Sequence, residues 1–176
     1  YTSPIKTLSN QKYGEFKKKF KDVGILTGDI KLNPEAQCIV MTTEILRNML
    51  FKDAEALAND FYCVIFDEIH YINDIDRGHV WEETIVMLPK DILIVMLSAT
   101  IDKADKFATW IGDIKQKNIA LIGTLYRPVP LCHYIYWDNF IHPIMDEKGD
   151  FKGDTYNNIS KNYNKEFKLH KINFKS

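Results

Sequence analysis

Two short apolar runs, each followed by polar side chains, constrain the fold of this chain more than any other feature. Residues 62–66 (YCVIF) precede Asp67, Glu68 and His70, and residues 93–97 (LIVML) precede Ser98 and Thr100. Runs of this kind are typical of strands that are buried on both faces of a parallel sheet. One amphipathic helix lies between them, which is the connection that parallel strands need. The sequence therefore predicts an α/β fold in which both polar ends lie at one edge of the sheet.

That edge is the predicted functional site. In open α/β sheets, ligands bind beyond the carboxyl ends of the strands. The carboxylates of Asp67 and Glu68 suit a hydrated Mg²⁺, which takes one or two carboxylates, substrate phosphates and waters. His70 can bridge from these acids to Ser98 or Thr100. We interpret the edge as a nucleoside-triphosphate site, with a solvated acidic turn as the alternative that these residues leave open.

Composition limits the other classes of function. The chain has 176 residues and a net charge of −1, so any nucleic-acid site must be a local basic patch. Three cysteines without paired spacing argue against both a disulfide framework and a zinc site, and they favour a reducing compartment. No apolar run reaches the ~18 residues of a membrane span, and no signal peptide is visible. We expect an intracellular protein, nuclear or cytoplasmic, that is neither secreted nor bound to a membrane.

Other apolar runs in the sequence predict further strands of the same sheet. Apolar runs predict further strands at residues 23–26, 38–41 and 119–122, and an edge strand at residues 133–137. Thr42 and Thr43 stand at the start of a predicted helix, where they can cap it and where free N–H groups can also bind phosphate. The composition changes near residue 138, and residues 151–176 are rich in lysine and asparagine. We expect this last part to be poorly ordered alone.

Several runs together resemble one known family, the superfamily-2 DExH-box helicases. The likeness is closest to the superkiller-type RNA helicases that work with the RNA exosome. The runs occur in the order of the family and cover about residues 1 to 150. They are Tyr1–Lys12 (YTSPIKTLSNQK), Thr27–Asp29 (TGD), Cys38–Arg47 (CIVMTTEILR), Val64–Tyr71 (VIFDEIHY), Arg77–Glu83 (RGHVWEE), Leu97–Ile101 (LSATI) and Tyr126–Leu131 (YRPVPL).

The resemblance implies a RecA-like fold of the P-loop NTPase class, a parallel sheet flanked by helices. Residues 1–138 would be the C-terminal part of the first RecA-like domain. Residues 139–176 would be its exit linker, or the start of an inserted element that is partly disordered. The chain contains no G-x-x-x-x-G-K-[ST] phosphate loop, so we expect the domain to be incomplete at its N-terminus. Because phosphoryl transfer needs that loop and an arginine finger, we expect no ATPase activity from these residues alone.

The resemblance also implies roles for individual residues, with ATP and Mg²⁺ as cofactors. Asp67 would hold Mg²⁺ through water, and Glu68 would orient or deprotonate the water that attacks the γ-phosphate. His70, Ser98 and Thr100 would couple hydrolysis to movement on the nucleic acid. A further set would line the track of the single-stranded backbone: Ser3, Pro4, Lys6, Thr27, Gly28, Asp29, Thr42, Thr43, Glu44 and Arg47.

The predicted function is therefore that of part of an ATP-dependent RNA helicase. The expected partners are single-stranded RNA, a second RecA-like domain in the same or another chain, and an exosome-type RNA decay complex. RNA is favoured over DNA by the closest type of family member, and a DNA helicase of the same superfamily remains an alternative. The other alternative is a non-catalytic module that binds nucleic acid or a helicase partner, which the missing phosphate loop favours. A metal-dependent nuclease is a more distant alternative, because it leaves Ser98 and Thr100 unexplained.

Overall fold

The computed structural model describes residues 1–99, 101–124 and 129–173, and for residues 56, 58 and 164–173 it describes the backbone alone. Thr100 and half of the Tyr126–Leu131 run, residues 126–128, lie outside the described residues. Contacts divide the chain into two units, Tyr1–Leu121 and Ile122–Ser176, which are taken separately below. The predicted domain boundary at residue 138 stays a prediction. Within the described residues, no helix is both long enough and apolar enough to cross a membrane.

The first unit alternates strands and helices along the chain. The strands are β1 (Thr2–Ser3), β2 (Val23–Leu26), β3 (Lys31–Leu32), β4 (Cys38–Thr42), β5 (Cys63–Phe66) and β6 (Leu93–Met96). The helices are α1 (Lys6–Lys17), α2 (Thr43–Lys52), α3 (Ala54–Asp60), a 3₁₀ helix (Ile69–Asn73), α4 (Gly78–Met87) and α5 (Ala104–Lys115). Alternation of this kind is typical of α/β domains.

The six strands form one sheet in the order β3-β2-β4-β1-β5-β6. All neighbours are parallel except β3, a two-residue strand that pairs antiparallel with β2. β5 and β6 are adjacent, and Phe66 lies opposite Met96 at their carboxyl ends. The predicted parallel α/β sheet is confirmed, and with it the placement of Asp67 and Ser98 at one edge.

The core lies between the sheet and the helices α2, α3 and α4. Leu46 and Leu50 of α2 and Trp81 and Ile85 of α4 are almost fully buried, together with Phe66 of β5. Each such side chain contributes about 1.5–3 kcal/mol through the apolar surface that it removes from water. Right-handed crossovers place α1 on the opposite face, because β1 connects to β2 in the reverse direction along the sheet. Helices packed on both faces of the sheet therefore hold the carboxyl ends of β1, β4 and β5 in place.

Two expectations about strands are wrong. Residues 118–124 form no strand, although residues 119–122 are apolar, and the large side chains of this run are not buried: Ile119, Leu121 and Ile122 are exposed, Ile122 to 92%. β6 is also not buried on both faces, since Leu93 and Val95 are exposed and alternate with the half-buried Ile94 and Met96. This strand lies at the end of the described sheet, so only one of its faces meets the core.

The second unit contains a hairpin and a helix. β7 (His133–Trp137) and β8 (Phe140–Met145) pair antiparallel, and α6 spans Gly153–Asn173. The hairpin turn consists of Asp138 and Asn139, with φ of 49° and 62°. Positive φ at both central residues is the geometry that a two-residue hairpin favours, and Asp and Asn tolerate it. The predicted strand at residues 133–137 is confirmed, and β8 and α6 follow it; the expected partial disorder of residues 139–176 stays a prediction.

Candidate nucleotide edge and nucleic-acid cleft

Asp67 is fixed at the end of β5 by hydrogen bonds to Tyr1 and Thr2, at the start of the sequence, and to its neighbour Glu68. Its backbone amide donates to the carbonyl of Thr2 at 2.9 Å. One carboxylate oxygen accepts a hydrogen bond from the hydroxyl of Tyr1, and the other accepts from the amide of Glu68 at 3.1 Å. Burial and, after it, this bond to Asp67 raise the pKa of the Tyr1 hydroxyl well above its ordinary value. Tyr1 therefore remains a neutral donor that orients the Asp67 carboxylate.

Glu68 has an unusual backbone. Its φ of 53° and ψ of 46° lie in the left-handed region, which few residues other than glycine adopt. Such a conformation costs on the order of 1 kcal/mol or more and persists where the surrounding structure enforces it. The enforcement comes from Ile69, whose amide donates to the carbonyl of Leu97 at 2.9 Å, while Leu97 donates to Phe66 at 2.8 Å. The turn therefore holds Glu68 at the junction of β5 and β6.

His70 lies beside Glu68. Its Nδ1 atom is 3.3 Å from a carboxylate oxygen of Glu68, and this buried nitrogen makes no hydrogen bond to any residue that the structure describes. Ser98 follows β6 at the same edge and is exposed. In the part of the chain that the structure describes, no hydrogen bond joins His70 to Ser98. The structure thus brings Asp67, Glu68, His70 and Ser98 to one sheet edge, whereas Thr100 lies outside the described residues.

These residues fit a hydrated magnesium ion better than a bare one. The described residues contain no group of three or more His, Cys, Asp or Glu side chains placed to hold a metal directly. The two carboxylates of Asp67 and Glu68 match the one or two that Mg²⁺ takes when substrate phosphates and water supply its other ligands. The edge can therefore hold the metal of a nucleotide complex, with phosphate ligands from outside this chain.

A cleft of about 470 Å³ lies beyond the neighbouring strand ends. Five of the ten residues predicted to line the nucleic-acid track line this cleft: Pro4, Lys6, Gly28, Thr42 and Glu44. Arg77, which was not predicted, also lines it. Lys6 donates to the carboxylate of Asp29 at 2.6 Å, and the side chain of Arg77 donates to the carboxylate of Glu44. Gly28 leaves its side of the cleft open, since a Cβ there would meet the Lys6 side chain alone.

The other predicted track residues lie around this cleft. Ser3 and Thr43 have fully buried side chains, so in this conformation they support the cleft and do not face it. Thr27 accepts hydrogen bonds from the amides of Asp29 and Ile30 and so shapes the turn that carries Gly28. Arg47 instead pairs with Glu83 of α4 at 3.2 Å. α2 begins at Thr43, and neither Thr42 nor Thr43 makes the predicted capping bond through its side chain.

Two residues of the site, Tyr1 and Arg77, were not predicted from the sequence. Tyr1 and Arg77 each begin one of the family-like runs, but neither was assigned a role. Both act through contacts with residues that are distant along the chain, Asp67 for Tyr1 and both Pro4 and Glu44 for Arg77. Membership of the runs was the signal that could have found them.

Comparison with known proteins agrees with this geometry. Residues 1–107 match the family model "DEAD/DEAH box helicase". The chain is 50% identical over 162 residues to human "Superkiller complex protein 2" and 52% identical over 159 residues to human "Exosome RNA helicase MTR4". It is also 52% identical over 153 residues to "Antiviral helicase SKI2" of Saccharomyces cerevisiae. These alignments cover 89%, 89% and 86% of the chain but only 13%, 15% and 12% of the relatives.

The chain therefore spans about one seventh of the length of the curated relatives that it matches. Within that span, the resemblance to superkiller-type helicases is confirmed, and the mainly parallel sheet is that of a RecA-like helicase domain. More than half of the chain lies within the matching family model. The chain belongs to the DEAD/DEAH box helicase family.

Proposed function

We propose that this chain is part of an ATP-dependent RNA helicase, in which it supplies the water-activating edge and part of the RNA track. The observation that carries the proposal is the joint position of Asp67, Glu68 and Ser98 at one edge of a parallel sheet, next to a cleft lined by Lys6 and Arg77. Relatives that share about half of its residues include proteins named as RNA helicases. Residues 1–138 would belong to the first RecA-like domain and residues 139–176 to its exit.

At the edge, Asp67 would hold hydrated Mg²⁺ through water, oriented by the hydroxyl of Tyr1. Glu68 would accept a proton from, or orient, the water that attacks the γ-phosphate. The bound magnesium would supply positive charge to the phosphate oxygens. His70, Ser98 and Thr100 would pass the change at the phosphates to the RNA track. Among the described residues, the buried Nδ1 atom of His70 has no hydrogen-bond partner, which supports this role because the atom is available to a group that moves towards it.

In the cleft, the RNA backbone would lie along the ends of β1, β2 and β4. Backbone groups and side chains at Pro4, Lys6, Gly28, Thr42 and Glu44 would contact phosphate and sugar, with Ser3, Thr27, Asp29, Thr43 and Arg47 supporting them. Contacts of this kind position a strand without reading its sequence. We expect the protein to act inside the cell, in the nucleus or cytoplasm, together with a second RecA-like domain and an exosome-type RNA decay complex.

The test is ATP turnover by the full-length protein with and without single-stranded RNA. Glu68→Gln should lower kcat by at least about 100-fold, in the range of a lost general base, and leave nucleotide binding intact. Glu82→Gln, which removes an exposed acid from α4, is the matched control and should keep normal turnover. Full activity of Glu68→Gln would reject the role of Glu68.

The alternative function is that of a non-catalytic RNA-binding module. The same assay separates the two functions. RNA binding without any ATP turnover in the full-length protein would support the module. Turnover that is stimulated by single-stranded RNA more than by single-stranded DNA would support the RNA helicase.

A further inference from the structure

Arg77 joins both sides of the cleft. Its Nη2 atom donates to the carbonyl of Pro4 at 2.6 Å and also to the carboxylate of Glu44. Pro4 lies in the loop between β1 and α1, and Glu44 lies in the first turn of α2. The guanidinium of Arg77 is also 5.5 Å from the ring centre of Trp81, a fully buried residue of α4. One side chain thus fixes two walls of the cleft to the core.

Hydrogen bonds also tie the backbone around Arg77 to the segment that follows Glu68. The carboxylate of Asp74 accepts hydrogen bonds from the amides of Asp76 at 3.1 Å and Arg77 at 2.8 Å. The amide of Gly78 donates to the carbonyl of Asp74 at 2.8 Å. A Cβ on Gly78 would lie 2.2 Å from the carbonyl oxygen of Ile72, which leaves no space between α4 and the 3₁₀ helix. The 3₁₀ helix begins directly after Glu68, so these contacts form a short, rigid connection from Glu68 to Arg77.

We propose that Arg77 is a positioning residue that couples the nucleotide edge to the RNA cleft; this inference rests on the function proposed above. A shift of the segment after Glu68 moves the start of α4 and therefore the guanidinium of Arg77. Pro4 and Glu44 must then follow or lose their hydrogen bonds. Coupling between two binding sites is reciprocal, so RNA in the cleft changes the affinity for nucleotide by the factor with which nucleotide changes the affinity for RNA.

The experiment measures that factor in the full-length protein. The Kd of a fluorescent single-stranded RNA is determined with and without a non-hydrolysable ATP analogue, and the ratio of the two values is the coupling factor. Typical coupling factors are about 5 to 150. We expect Arg77→Met to bring the factor close to one, whatever its effect on either Kd. Arg77→Lys should restore part of the factor, because lysine keeps the charge but not the planar fork.

Two further variants control for charge and for folding. Lys90→Met removes an exposed cation that bonds to Gln116, remote from the cleft in sequence and contacts, and it should leave the factor unchanged. If Arg77→Met does not unfold in a cooperative thermal transition, the Glu44→Gln variant replaces it in the test. This variant weakens the bond between Arg77 and residue 44 and keeps the packing of Arg77 on Trp81. It should lower the factor as well.

The outcomes separate this inference from the proposed function. A wild-type factor of one, or a normal factor in the folded Arg77→Met variant, overturns the coupling role and leaves the helicase function in place. When Arg77→Met does not fold, a normal coupling factor in Glu44→Gln likewise overturns the coupling role and leaves the helicase function in place. A wild-type protein that neither binds RNA nor hydrolyses ATP overturns the proposed function itself.

Discussion

Lys115 is the most deeply buried lysine or arginine among the residues whose side chains the structure describes. Its ammonium group donates to the carbonyls of Val86 and Leu88, at the end of α4, and its residue is only 3% exposed. Carbonyls at a helix end have no partner within the helix, so a lysine there satisfies them. Burial, with repulsion from Lys90 and Lys117, lowers the pKa of Lys115 to about 8.

This shift predicts how stability depends on pH. The ordinary pKa of lysine is 10.5, so between about 8 and 10.5 the unfolded chain binds more protons at this position than the folded chain. The free energy of unfolding of the wild type, measured against Lys115→Met, should therefore rise with pH across that window and stay level below it. Urea denaturation at several pH values measures it. Lys106→Met, which removes an exposed lysine of α5, should follow the wild-type profile; a constant difference between wild type and Lys115→Met would contradict the prediction.

Two glycines in helices test how tightly individual elements pack. A methyl group on Gly78 would collide with the backbone of the 3₁₀ helix, whereas one on Gly14 of α1 would meet no atom within 4 Å. Gly78→Ala should destabilise the protein by about 1–3 kcal/mol, as overpacking does. Gly14→Ala should stabilise it by about 0.5–1 kcal/mol, because alanine is the better helix former. Thermal or denaturant unfolding measures both, and equal effects of the two substitutions would show that the Gly78 contact is not rigid.

The sequence predicted the elements whose signal is local. β2, β4, β5 and β6 are apolar runs that polar residues bound, and each was found within one residue of its expected ends. The run at residues 119–122 has the same local signal but forms no strand and stays exposed, because an apolar run becomes a strand only where packing against the rest of the fold covers it. β3 consists of two exposed residues, Lys31 and Leu32, and its pairing with β2 depends on the turn between the two strands, where the amide of Thr27 donates to the carbonyl of Ile30 at 2.8 Å, rather than on hydrophobic pattern.

The features of the candidate site also divide into those that local sequence predicts and those that depend on contacts between distant residues. The common edge of Asp67 and Ser98 follows from parallel pairing, which the intervening helix made predictable. The bonds of Tyr1 and Arg77 could not be derived from pattern, because their partners lie 66 and 73 residues away along the chain. The sequence pattern also could not predict that Ser3 and Thr43 are buried, since a hydroxyl next to a strand end can face either the cleft or the core.

At the scale of the whole chain, the balance of charge limits how the proposed RNA track would bind RNA. The chain carries 23 basic and 24 acidic residues, so no general attraction draws a polyanion to it. The two cations that line the cleft are also paired, Lys6 with Asp29 and Arg77 with Glu44. A phosphate in the cleft must therefore compete with a carboxylate of the protein for each cation.

Asp29→Asn should for this reason tighten RNA binding by the full-length protein. The pair of Lys6 and Asp29 is exposed, with 54% and 70% of the two side chains accessible, and exposed pairs contribute at most about 1 kcal/mol. Release of Lys6 should then lower the Kd for single-stranded RNA by up to about fivefold. Because salt screens exposed charges, the gain should shrink as ionic strength rises. Asp113→Asn, which removes an exposed acid from α5, should produce no such gain. Weaker binding by Asp29→Asn would instead show that Asp29 itself contacts the RNA, as an acceptor for a 2′-hydroxyl.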